Sequence, residues 1–109
     1  MTVPKSYIKG KHILAVDDDE DILETIADVL EDAHVDRARD YATASRKIKE
    51  KRYDLAILDI MGVNGLQLLE EAVDRGIPTV MLTAHAINPE TLMDAIRKGA
   101  ISYLPKETL

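Results

Sequence analysis

Short apolar runs alternate along this chain with stretches whose apolar residues recur at helical spacing. His12–Val16, Leu55–Leu58 and Pro78–Leu82 are near-continuous apolar segments, the pattern of strands buried on both faces. Val35–Arg39 is a weaker, more polar run that suits an edge strand, and Ile101–Leu104 is the last candidate strand. Between them, Ile22, Ile26, Val29, Leu30 and Ala33 form one stripe of a helix that Asp19 can cap. Ala42–Lys51 reads as a short helix with Ala44 and Ile48 inward and a basic outer face, and Leu66–Arg75 as a third helix ended by Gly76. Asn88, Pro89 and Glu90 supply a cap, a first-position proline and a first-turn acid for a fourth helix, which stops at Gly99.

The order β-α-β-α-β-α-β-α-β predicts an α/β fold: a doubly wound, five-stranded parallel sheet of the flavodoxin-like order 2-1-3-4-5. Residues 1–11 read as a polar N-terminal tail and 12–109 as one domain. No helix pattern follows the last strand, which leaves one flank of the sheet without cover. Either the chain is a trimmed piece, the reading favoured here, or a partner surface covers that flank. Large apolar side chains left bare there would cost about 1.5–3 kcal/mol each.

Composition narrows the function. The formal net charge of −6 argues against non-specific binding to nucleic acid or anionic membrane. The absence of cysteine removes disulfides and thiolate metal sites. No apolar stretch is long enough to span a bilayer, and the polar start lacks the apolar core of a signal peptide, so a cytoplasmic location is expected.

The chemistry lies where strands end. Asp17, Asp18 and Asp19 follow the first strand, and Asp59 closes the run Leu55-Ala56-Ile57-Leu58. In a doubly wound sheet these acids, Thr83 and Lys106 share the carboxyl edge, where ligands bind. Two charges about 4 Å apart repel by roughly 4 kcal/mol at an effective dielectric near 20, and a hard divalent cation can offset that.

Val16-Asp17-Asp18, the segment from Asp54 to Met61, Thr83-Ala84 and Tyr103-Leu104-Pro105-Lys106 together resemble the receiver domains of bacterial two-component response regulators. The resemblance runs from His12 to Lys106. It implies that Asp59 is the phospho-acceptor, that Asp17, Asp18, Asp59 and the backbone carbonyl of Met61 hold Mg²⁺, and that Thr83 and Lys106 contact the phosphoryl group. It further implies Tyr103 as a switch aromatic that responds to Thr83, and Met61 and His85 as modulators of phosphoryl lifetime. Ala84 would leave room for an incoming phosphohistidine. The implied partner is a histidine kinase or phosphotransfer protein, with an effector domain or a second copy as further candidates. The chain itself would bind no nucleic acid and no membrane. It would assist its own phosphoryl transfer and dephosphorylation without being a turnover enzyme.

Two departures from the family pattern stand out. The loop from Asp59 to Gly65 is shorter than usual and has no proline, and Lys106 precedes Glu107 where the family has proline, the proline here being Pro105. A trans Lys106–Glu107 bond is expected, because cis would cost about 2.5–4 kcal/mol. These departures motivate an alternative, a pseudo-receiver that acts as a protein-interaction module. A phosphohydrolase of the haloacid dehalogenase type is a weaker third reading, since Asp21 stands where that class has threonine.

Overall fold

The computed structural model describes residues 8–84 and 87–109. Five strands form one parallel sheet: β1 (His12–Val16), β2 (His34–Ala38), β3 (Leu55–Asp59), β4 (Thr79–Thr83) and β5 (Ser102–Pro105), in the order β2-β1-β3-β4-β5. The helices between them are α1 (Glu20–Val29), α2 (Tyr41–Glu50), α3 (Gly65–Asp74) and α4 (Pro89–Arg97), and a 3₁₀ turn, Lys106–Thr108, follows β5. The α/β, flavodoxin-like order 2-1-3-4-5 is therefore as the sequence predicts.

The central strands read as apolar runs because the pleat sends alternate side chains into two separate cores. Leu14, Val16, Ala56, Leu58 and Met81 face a core closed by Ala44 and Ile48 of α2, Leu68, Leu69 and Ala72 of α3, and Ala95 of α4. Ile13, Ala15, Ile57 and Leu82 face the other way, onto Leu23 and Ile26 of α1. Fully burying one such side chain stabilises the fold by about 1.5–3 kcal/mol.

The stripe predicted for α1 needs one correction. Leu23, absent from it, is fully buried, whereas Val29 is 55% exposed at the helix end. Ala33 lies past the helix, in the connection to β2, yet packs against the same core. Val29 stands on a groove of about 470 Å³ that Ile26, Leu30, Leu104, Pro105 and Leu109 also line. Among the described residues no α-helix follows β5, and α1 covers this face of the sheet only up to the groove.

β1 has the predicted bounds, α1 ends four residues before the predicted stripe does, and most other boundaries differ by a residue. β2 starts at His34 because its amide bonds the Lys11 carbonyl, and β4 includes Thr83, in register with Pro105 of β5. Three helix starts follow from local chemistry. The carboxylate of Asp19 accepts the Asp21 amide at 2.9 Å, Asp40 accepts that of Thr43 at 2.8 Å, and the Asn88 side chain accepts that of Glu90 at 2.8 Å. The predicted position of His85 falls outside the described residues.

Candidate functional site

β1, β3 and β5 deliver their ends to one edge of the sheet. Asp17, Asp18 and Asp59 present carboxylate oxygens that all lie within 4.8 Å of one another. Asp17 and Asp59 are buried, while Asp18 is exposed. Register explains the convergence: Val16 pairs with Leu58, so the two acids that follow are level with each other.

Lys106 reaches this cluster from the first residue beyond β5. Its Nζ lies 2.9 Å from Oδ2 of Asp17, an ion pair rather than an aligned hydrogen bond, and 3.2 Å from Oδ1 of Asp59. The peptide bonds of the described residues are all trans, Lys106–Glu107 included. The aim comes instead from the 3₁₀ turn, in which the Thr108 hydroxyl donates to the Pro105 carbonyl at 2.7 Å and the Leu109 amide to that of Lys106 at 3.1 Å. The departure from the family's lysine-proline step therefore does not turn the ammonium away.

Burial, more than any other influence, holds the carboxyl of Asp17 above the usual carboxylate range. The Lys106 ammonium and the Asp19 amide pull it down, and the charge of Asp59 pushes it up again. For Lys106, burial works against the ammonium, but its contacts with Asp17 and Asp59 outweigh that and raise its pKa.

The loop after Asp59 is built around two glycines, Gly62 and Gly65. The Gly62 amide donates to Oδ2 of Asp59 at 3.1 Å. A Cβ at Gly62 would lie 2.3 Å from that oxygen and 2.8 Å from Oδ1 of Asp18. A Cβ at Gly65 would lie 2.1 Å from the backbone oxygen of Asp59. The short loop thus brings the start of α3 directly onto the end of β3. Asn64, in the left-handed region with φ 55°, makes that reversal possible.

The donor set suits a small hard cation. Three carboxylates converge, one of them exposed to solvent so that waters can complete the shell, and the space between Asp18 and Asp59 is kept clear by a glycine. Thr83, buried at the end of β4, is on the same sheet edge. Met61 lies in the loop and is 68% exposed. Tyr103 lies inside β5, opposite Met81, and its side chain is half exposed.

The sequence family described as response regulator receiver domain matches residues 13–108. The chain is 36% identical over 105 residues to the phosphate regulon transcriptional regulatory protein PhoB of Klebsiella pneumoniae, covering 89% of this chain and 45% of that protein. Among solved structures, a CheY-like response regulator receiver domain protein from Methanospirillum hungatei is similar at a TM-score of 0.80 and 31% identity, over 90% of this chain and 82% of that one. A response regulator protein from Burkholderia pseudomallei, crystallised with a phosphorylated aspartic acid, a calcium ion and citrate, is similar at a TM-score of 0.80 and 26% identity, over 88% of this chain and 59% of that one.

A parallel sheet of this order with an acidic pocket at its carboxyl edge places the chain in the α/β class, in its flavodoxin-like branch. The chain belongs to the receiver domain family of two-component response regulators. It spans between about a sixth and under half of the length of the curated relatives it matches.

Proposed function

We propose that this receiver accepts a phosphoryl group at Asp59 from the phosphohistidine of a partner kinase or phosphotransfer protein. One observation carries the reading: three carboxylates from two strand ends share a hollow with a lysine that contacts two of them. A carboxylate oxygen of Asp59 attacks phosphorus, the phosphorus–nitrogen bond breaks, and the imidazole leaves with its electron pair. Asp17, Asp18, Asp59 and the Met61 carbonyl would hold Mg²⁺, which would supply positive charge against the equatorial oxygens of the transferring group. Lys106 adds fixed positive charge, and the Thr83 hydroxyl donates to a phosphoryl oxygen. The Gly62 amide orients the attacking carboxylate. Met61 and His85 would modulate the lifetime of the acyl phosphate, and Ala84, small and exposed, leaves the approach open.

Capture of a phosphoryl oxygen by Thr83 would draw Tyr103 inward and alter the surface of α4 and β5, so that phosphorylation biases an exchange between two populations. The half-exposed Tyr103 would be the resting position. Residues 12–109 act as one domain in this reading. The protein would work in the cytoplasm, in keeping with the absence, among the described residues, of a helix long and apolar enough to cross a membrane.

The test is incubation with Mg²⁺ and acetyl phosphate followed by intact mass. The wild type gains one phosphoryl group and Asp59→Asn gains none. An unlabelled wild type, or equal labelling of both, would count against the proposal.

A further inference from the structure

Arg39 lies just past β2, outside the cluster of acids. Its Nη2 nevertheless donates to the backbone carbonyl of Asp18 at 3.1 Å, and its Nε stands 3.6 Å from Oε2 of Glu20. The other oxygen of Glu20 takes Nη1 of Arg37 at 3.0 Å. Glu20 is the first residue of α1. The end of β2 therefore grips both the first turn of α1 and the backbone of the residue before its cap.

Asp18 needs such a grip more than its neighbours do. Asp17 and Asp59 are buried, so packing restricts their rotamers, but Asp18 is exposed. Its backbone is secured on either side. The Asp17 amide donates to the Ala38 carbonyl at 3.1 Å, and the Asp19 amide donates to Oδ1 of Asp17 at 2.9 Å. The bond from Arg39 falls on the Asp18 carbonyl itself, so together with the Asp19 amide it holds the peptide plane that follows the Asp18 side chain.

We infer that Arg39 is a positioning residue for the cation site, acting through the Asp18 carbonyl to hold that carboxylate toward Asp59. This rests on the reading of the pocket as a Mg²⁺ site. Partners that orient metal ligands typically change affinity by about 10–100-fold when removed, and an exposed one acts at the low end of that range.

Charge and positioning predict opposite signs, which makes the inference testable. Removing a nearby cation for its charge alone would strengthen Mg²⁺ binding. Removing the grip on Asp18 would weaken it. Titration of the whole chain with Mg²⁺ by calorimetry should show Arg39→Ala binding about tenfold more weakly. Arg39→Lys, which keeps a donor of similar reach, should recover most of the loss. In the metal-free protein, amide exchange at Asp19 should quicken in Arg39→Ala while the urea midpoint stays nearly unchanged. Unchanged or tighter Mg²⁺ binding by Arg39→Ala, with a normal wild-type response, would overturn the role of Arg39 alone. A wild type silent to Mg²⁺ would overturn the pocket reading and this inference with it.

Discussion

The Gly62 amide donates to Oδ2 of Asp59 at 3.1 Å, and a Cβ on Gly62 would stand 2.3 Å from that same oxygen. The loop after β3 thus orients the carboxylate with its backbone and leaves no room for a side chain. Its φ lies outside the left-handed region, so the constraint is steric.

Gly62→Ala is therefore expected to displace the carboxylates of Asp59 and Asp18 while keeping the fold. Labelling by acetyl phosphate should fall at least tenfold, by the scale on which misplaced ligands lose affinity. Circular dichroism should be unchanged. A fully active alanine variant would show that the loop yields easily.

Gly65→Ala should behave in the opposite way. Its Cβ would meet the backbone oxygen of Asp59 at 2.1 Å and Cα of Ile60 at 2.8 Å, and backbone cannot swing aside as a side chain can. A loss of about 1–3 kcal/mol, the usual cost of overpacking, is expected in urea denaturation. Wild-type stability would refute this.

Asp17→Asn should raise stability near neutral pH and weaken the response to Mg²⁺. Burial and the charge of Asp59 raise the pKa of Asp17 despite Lys106 and the Asp19 amide, so the ionised form is the costly one in the folded state. A raised folded-state pKa means that the folded protein binds the proton more tightly than the unfolded chain. This contribution to stability falls as pH rises from the unfolded value near 3.9 through the raised folded value. Asparagine, which can still accept the Asp19 amide, should remove that slope, as pH-dependent urea midpoints would reveal.

Lys106→Met should destabilise the protein by about 1–3 kcal/mol, because it leaves Asp17 and Asp59 without their nearest cation; the partial exposure of Lys106 keeps the loss below that of a fully buried pair. The raised pKa of Lys106 means that its contribution is complete below the unfolded value of about 10.4 and is lost as pH rises through the folded value. The stability difference between the two proteins should be constant from pH 7 to the unfolded value and narrow as pH rises further, through the folded value.

Tyr53→Phe tests the support of the sheet edge, far from the pocket. The buried Tyr53 hydroxyl donates to Oδ2 of Asp36 in β2 at 2.7 Å, and Lys51 pairs with the same oxygen at 3.0 Å. Burial works to raise the pKa of Asp36, but the bonds from Tyr53 and Lys51 outweigh it and hold it below the ordinary value. Loss of one bond to a charged group should cost about 1.5–3 kcal/mol above the unfolded pKa near 3.9, and the difference from wild type should shrink as pH falls through the depressed folded value.

Much of the fold could be read in advance because its signals are local. Apolar runs marked the strands, two of them closed by acids, and Asp19 and Asn88 were legible as helix caps, whereas Asp40 was not singled out. Leu23 was missed because a stripe counted from Ile22 takes no account of how α1 is rotated against the sheet, which its partners Ile13, Ala15 and Ile57 determine. The aim of Lys106 is not legible in the sequence, since nothing in a linear reading shows that the Thr108 hydroxyl closes a turn on Pro105. Arg39 carried no signal as a site residue, because its partner is a backbone carbonyl in a different loop.

Sequence alone determined the element order, the parallel sheet and the acids at its edge, since hydrophobic periodicity and capping act over a few residues. Tertiary structure decided which oxygen meets which cation, how a shortened loop stays clear of Asp18 and Asp59, and which side chain bonds the Asp18 carbonyl. Most of those contacts join residues distant in the chain, brought together by the register between strands, which no local pattern encodes.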